Sequence, residues 1–85
     1  MTTKSNPNLT GVQELTATFR ELRDHLISKD LITHSKFESY VLEKEPGYNT
    51  DRGKLKIYNV YYGRATSLYL LWILEDFEAS TKLKS

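Results

Sequence analysis

The sequence predicts a single compact all-α domain of about four helices, and three features carry that prediction. Apolar residues recur at spacings of three and four from Val12 to Leu26, which is the spacing of one helix face. Residues 68–77 are apolar around much of a helical circumference. The chain has only 85 residues and no cysteine, so one small core without disulfides must hold these helices together.

The first helix is predicted over residues 10–29, after a flexible polar arm at residues 1–9. Thr10 and Gln13 have the spacing of a capping box, which places the helix start near Thr10. Charged and polar residues fall mostly away from the apolar stripe. The stripe consists of Val12, Leu15, Phe19, Leu22 and Leu26.

The second helix is predicted over residues 33–45, beginning at Thr33 or Ser35. Ser35 and Glu38 form another capping-box pair. Its buried face carries Phe37 and Val41, together with a tyrosine between them. Pro46 disfavours helical geometry at the residue before it, so the helix ends there, and residues 47–53 form a polar turn.

Residues 54–62 are ambiguous between a strand and a helix. Their isoleucine, valine and three tyrosines favour a strand by propensity, which would give a small αββα-type domain. As a helix over 50–63, the segment places Ile57, Val60 and Tyr61 on one compact stripe. Gly63 suits the left-handed conformation that ends many helices. The residues alone leave both alternatives open.

The last helix is predicted over residues 66–80, capped by Thr66 or Ser67, with a flexible tail at 81–85. A helix this apolar needs more cover than three short helices offer, so part of it is expected to face a partner subunit, as in a homodimer. The apolar residues concerned are Leu70, Trp72, Ile73 and Phe77. The predicted core of the domain is Leu15, Phe19, Leu22, Leu26, Phe37, Val41, Ile57, Val60, Leu71 and Leu74.

Nothing in the sequence forms a recognisable catalytic or metal-binding motif. His25 and His34 are nine residues apart, without the spacing of a metal site. There is no G-x-S-x-G nucleophile turn and no phosphate-binding glycine loop. The acidic clusters stand at helix ends, where we expect all of their carboxylates to be solvated. A catalytic pair would instead need two different environments. We therefore expect no enzyme, no cofactor, no metal and no small-molecule substrate.

No apolar run approaches the roughly 20 residues that cross a membrane. The polar N-terminus lacks the apolar segment of a secretory signal. We therefore expect a cytoplasmic protein that does not contact a membrane.

The net charge of +1 conceals an uneven distribution. Residues 49–64 hold four basic residues and one acidic residue, whereas the remainder holds eight basic and ten acidic residues. Clustered positive charge on one element is the electrostatic signature of phosphate contact. A solvated basic face is the plainer alternative. In a nucleic-acid interface, Asn59 can pair with adenine and Arg or Lys with guanine.

Residues 57–64 read I-Y-N-V-Y-Y-G-R, and Leu71, Leu74 and Glu75 complete a following L-x-x-L-E. This pattern resembles small helix-turn-helix proteins of the phage repressor/Cro type, as found in Bacteroidetes and their mobile elements. The resemblance implies a helix-turn-helix-like unit, in which residues 50–63 lie in the major groove of double-stranded DNA. It also implies a transcription regulator that binds DNA as a dimer.

The same resemblance implies which residues contact DNA. Three stand at or before the start of the recognition helix, three face the groove, and one lies past its end near a phosphate. In that order they are Thr50, Arg52, Lys54, Lys56, Asn59, Tyr62 and Arg64.

A protein-interaction module is the rival hypothesis, because Tyr, Trp and Arg dominate binding hot spots. Its contact patch would consist of Tyr58, Tyr61, Tyr62, Tyr69 and Trp72.

Overall fold

The computed structural model describes residues 7–84, with side chains for residues 11–82, and this part of the chain is all helical. The elements in order are α1 (Pro7–Ser28), α2 (His34–Lys44), a 3-10 helix (Pro46–Tyr48), α3 (Asp51–Tyr61) and α4 (Leu68–Lys84). No strand occurs in residues 7–84, so the strand alternative for residues 54–62 is wrong. Residues 1–6 of the predicted arm and Ser85 of the predicted tail lie outside the described residues.

Two helices extend beyond the bounds predicted from the sequence. The first helix begins at Pro7, where a missing N–H costs no hydrogen bond because the first helical amides have no partner within the helix. Thr10 therefore lies inside α1, and the predicted capping box at Thr10 is wrong. The last helix continues to Lys84, past the predicted end at residue 80.

Hydroxyl side chains begin the other helices. Thr33 caps α2, because its Oγ1 accepts a hydrogen bond from the Lys36 amide at 3.1 Å. The predicted Ser35–Glu38 box is therefore not the cap. Ser67 Oγ accepts from the Leu70 amide at 3.1 Å, which confirms Ser67 as one of the two predicted caps of the last helix.

The core forms around Phe37, which is fully buried and joins three helices. Its ring meets the edge of Phe19 from α1 and lies against Tyr61 from α3, each with centroids 5.7 Å apart. Eight of the ten predicted core residues are buried, while Leu15 and Leu22 are half-buried and pack against them. The sequence prediction missed four buried residues: Ile32, Tyr61, Leu70 and Ile73.

The last helix lies between α1 and α2. It runs parallel to α1, because Thr16 Oγ1 lies 2.6 Å from Thr66 Oγ1 at one end and Lys29 shares a cleft with Lys82 at the other. It runs antiparallel to α2, as contacts of its first turn reach Glu45 at the end of α2. This position covers most of its apolar surface within one chain.

This packing corrects the expectation that α4 leaves several residues for a partner subunit. Leu70 and Ile73 are buried within the chain, and Phe77 is half-buried with its ring against the Tyr40 ring. Trp72 alone of the four expected residues is exposed, at 57%. Among the described helices, none is both long enough and apolar enough to cross a membrane.

Candidate nucleic-acid interface

The N-terminal end of α3 is fixed by a side-chain cap and a close backbone contact. Thr50 precedes the helix in extended conformation, and its Oγ1 accepts a hydrogen bond from the Gly53 amide at 3.0 Å. A Cβ on Gly53 would lie 2.2 Å from the Tyr48 carbonyl oxygen. Only glycine therefore lets the 3-10 helix lie this close to α3. The Thr50 hydroxyl proton stays available for donation, since a hydroxyl accepts and donates at once.

The C-terminal end of α3 is closed by Gly63 in the left-handed region, with φ of 78°. The Arg64 amide donates to the Asn59 carbonyl at 2.7 Å, as in the common glycine-terminated helix end. Sequence analysis anticipated this role for Gly63.

Two arginines from α1 bind the carbonyls at the same end. Arg23 Nη1 donates to the Tyr61 carbonyl at 2.7 Å, and Arg20 Nη2 donates to the Gly63 carbonyl at 3.0 Å. Positive charge at a helix C-terminus complements the helix dipole. Both arginines fall away from the apolar stripe of the first helix, and no signal in the sequence links them to α3.

The inner face of α3 carries Ile57, Val60 and Tyr61, all buried. Burial raises the pKa of the Tyr61 hydroxyl, and the neighbouring Tyr62 adds to that shift. The outer face carries Arg52, Leu55 and Tyr62, all exposed. Leu55 has the largest exposed fraction of the exposed apolar residues, at 60%, and sequence analysis did not single it out.

Two basic residues of α3 have no carboxylate partner among the described residues. Arg52 and Lys54 are exposed, and neither forms an ion pair with any described residue. By contrast, carboxylates pair with Arg23, Lys44 and Lys82.

Lys56 and Arg64 are exposed as well, and both contact neutral groups. Lys56 Nζ donates to the Thr66 carbonyl at 3.5 Å, beside the connection to α4. The Arg64 guanidinium lies over the Tyr58 ring, 5.7 Å from its centroid. Neither contact neutralises the positive charge.

The seven predicted site residues spread along the whole of α3 and its flanks. Thr50, Arg52 and Lys54 lie within its first turn, whereas Tyr62 and Arg64 follow its last turn about 16 Å away along the axis. Lys54 and Lys56 are separated by about 200° around the axis, so they lie on opposite flanks of the exposed face. Asn59 is half-buried.

An aromatic cluster lies at the end of α3 against the start of α2. The His34 ring has centroid distances of 5.4 Å to Tyr58 and 5.6 Å to both Tyr61 and Tyr62. Its Nε2 atom is buried without a hydrogen-bond partner. Tyr62 also lies 4.8 Å from Tyr58, so its ring is held in place by its neighbours.

The five aromatic residues of the rival hypothesis do not all present a surface. Tyr61 is buried, which is a correction to that predicted patch. Tyr69 stacks on Tyr48 and donates to Glu45 Oε2 at 2.6 Å, and this hydrogen bond raises the pKa of Tyr69. Trp72 remains as a well-exposed aromatic side chain.

Other surfaces offer less chemistry. Two clefts of about 300 Å³ flank α4, one shared with α1 and one shared with α2. Within residues 11–82, no three histidine or acidic side chains lie close enough together to hold a metal ion. Comparisons with protein families, curated proteins and solved structures found no match to this chain.

Proposed function

We propose that this protein is a sequence-specific DNA-binding regulator that places α3 in the major groove of double-stranded DNA. The single observation that carries the proposal is the charge on α3 and just after it. Arg52 and Lys54 are exposed and have no carboxylate partner among residues 11–82, and the contacts of Lys56 and Arg64 in that range are to neutral groups. A cation without a paired carboxylate gains most from contact with phosphate, because it gives up no existing ion pair.

The exposed face of α3 supports the same proposal. The six residues that join α2 to α3 include the 3-10 helix and exceed the usual three- or four-residue turn, and α3 turns one face to solvent. The major groove is about 12 Å wide and admits one α-helix. Thr50, Arg52 and Lys54 at the start of α3 would meet one phosphate strand, and Arg64 at its end would meet the other.

One module with so few cations binds DNA weakly, so we propose two copies on two half-sites. Trp72 on α4 is the exposed aromatic residue that a second copy would cover. Trp72 is also the observation that favours the second candidate function, a protein-interaction module without DNA affinity.

Neutralising the cations tests the DNA proposal. Lys54→Gln and Arg52→Gln should each reduce the slope of log affinity against log salt by about 0.9, the value for one lost phosphate contact. Fluorescence anisotropy with a labelled duplex at several salt concentrations measures that slope.

One variant serves as the control. Lys29→Gln changes an exposed lysine of the α1–α2 connection and should leave the slope unchanged. The proposal would be contradicted if the Lys54 and Arg52 variants had the same salt slope as the wild type. A protein complex abolished by Trp72→Ala, with no binding to any duplex, would establish the second candidate instead.

A further inference from the structure

Leu55 stands at the middle of the outward face of α3. Its exposed fraction of 60% exceeds those of Val12, Trp72 and the other exposed large apolar side chains of residues 11–82. Arg52 precedes it by three positions and Tyr62 follows it by seven, so the three side chains share one side of the helix. The opposite side of α3 already supplies the core, so the fold itself does not require an apolar residue here.

The charges around Leu55 indicate which kind of partner meets this face. Arg52, Lys54 and Lys56 lie within three positions of it, and the nearest carboxylate in sequence is Asp51, four positions before it at the helix start. A polyanion therefore complements the face better than an apolar protein surface, which would have to bury these cations without partners.

Duplex DNA is a polyanion with very few apolar groups on its edges. In the major groove, the C5-methyl group of thymine is the apolar group that the base pairs present. A leucine at the middle of a helix in that groove would therefore gain most from contact with this methyl group.

We infer that Leu55 is a specificity-determining residue that packs against a thymine C5-methyl group in the major groove. This inference rests on the proposed DNA binding and adds the base that the centre of α3 selects. It also gives the exposed leucine a role that phosphate-binding cations cannot fill, since phosphates carry no sequence information.

Replacing thymine by deoxyuridine removes this methyl group and leaves base pairing intact. The experiment first selects tightly bound duplexes from a random library with the wild-type protein. Each thymine of the selected duplex is then replaced in turn by deoxyuridine, and affinity is measured by anisotropy. At one or two positions the wild type should bind about fourfold more weakly, the effect of one buried methyl group.

The variant Leu55→Ala should bind the thymine and deoxyuridine duplexes equally at those positions. Leu68→Ala, which shortens an exposed leucine of α4, should keep the fourfold preference of the wild type. Two outcomes would overturn the inference while DNA binding itself stands. In one, no deoxyuridine substitution changes the affinity of the selected duplexes. In the other, Leu55→Ala keeps the full preference for thymine over deoxyuridine. Failure to select any duplex would remove the proposed function and this inference together.

Discussion

Two glycines set how closely other groups approach the two ends of α3. At Gly63 the backbone is left-handed, and a Cβ would also lie 2.4 Å from Arg20 Nε. At Gly53 a Cβ would meet the Tyr48 backbone. Gly63 follows the helix, so its left-handed conformation was predictable from its position. The contact at Gly53 depends on the path of the 3-10 helix, which the spacing of residues does not encode.

Gly53→Ala should lower the free energy of unfolding by about 1–3 kcal/mol, the usual cost of overpacking. Helix propensity alone predicts the opposite sign, since alanine in a helix is worth about 0.5–1 kcal/mol more than glycine. Urea denaturation measures the difference. Gly47→Ala is the matched control, because its Cβ would have no neighbour closer than 4.0 Å, and it should change stability by less than about 0.5 kcal/mol.

Asp76 links the stability of the α2–α4 contact to pH. It accepts a hydrogen bond from the Tyr40 hydroxyl, and Lys44 Nζ lies 3.4 Å away. The hydrogen bond and the lysine charge lower the pKa of Asp76. A lowered folded-state pKa stabilises the protein above the usual range of Asp, and this stabilisation is lost as pH falls through the folded-state value.

The excess stability of the wild type over Asp76→Asn should therefore be present at neutral pH and vanish in acid. Urea midpoints measured for both proteins from neutral pH down through the Asp range give this difference. Tyr40→Phe should weaken the same acid dependence, because the tyrosine hydroxyl is the largest cause of the shift. If the stability difference between the wild type and Asp76→Asn stays constant into acid, the contact contributes no proton-linked stability.

At the scale of the element, each helix could be predicted better than its ends. Periodicity depends on many residues and identified α1, α2 and α4, although it left α3 open between helix and strand. A cap depends on one hydroxyl among several candidates. Thr33 and Ser35 both stand near the start of the second helix, and the sequence favours neither strongly. The strand alternative for residues 54–62 arose because isoleucine, valine and tyrosine favour strands on propensity, which tertiary packing overrides.

The arginine contacts at the end of α3 lie beyond any local pattern. Arg23 and Tyr61 are 38 positions apart, and Arg20 and Gly63 are 43 positions apart. In the sequence, both arginines only fall away from the apolar stripe of the first helix. Their actual partners are backbone carbonyls, which leave no trace in residue identity.

Arg23→Gln should lower the free energy of unfolding by about 1–3 kcal/mol, because it removes a charge-assisted hydrogen bond to a helix-terminal carbonyl. The Arg23 side chain is largely buried, with 17% exposed, so water replaces the lost donor poorly. Arg52→Gln is the control, since this exposed arginine has no ion-pair partner among the described residues. Equal stability of the two variants by urea denaturation would contradict the role of Arg23.

At the scale of the whole molecule, the sequence predicted the fold class and most of the core. It overestimated the apolar surface that α4 leaves open, because helical periodicity cannot reveal that α1 and α2 flank this helix on two sides. Burial of Leu70 and Ile73 leaves Trp72 as the principal exposed apolar residue of α4, beside Leu68 and Tyr69. Any second copy therefore meets a smaller apolar surface than the sequence suggests.

The candidate site was predictable as a charged segment but not as a surface. Composition alone located the excess of positive charge in residues 49–64. Composition could not show that Lys54 and Lys56 lie on opposite flanks of α3. It also could not show that the centre of the exposed face is a leucine, since that follows from how α3 packs on the core.

Binding of a random-sequence duplex at two salt concentrations tests the central claim most directly. If all four cations of residues 49–64 in a single bound copy contact phosphates, the affinity of that copy should fall about 150-fold between 50 and 200 mM salt. Fluorescence anisotropy with a labelled 20-base-pair duplex measures both affinities, and circular dichroism confirms that the sample is folded. A folded protein that leaves the anisotropy unchanged at about 50 mM salt would contradict DNA binding.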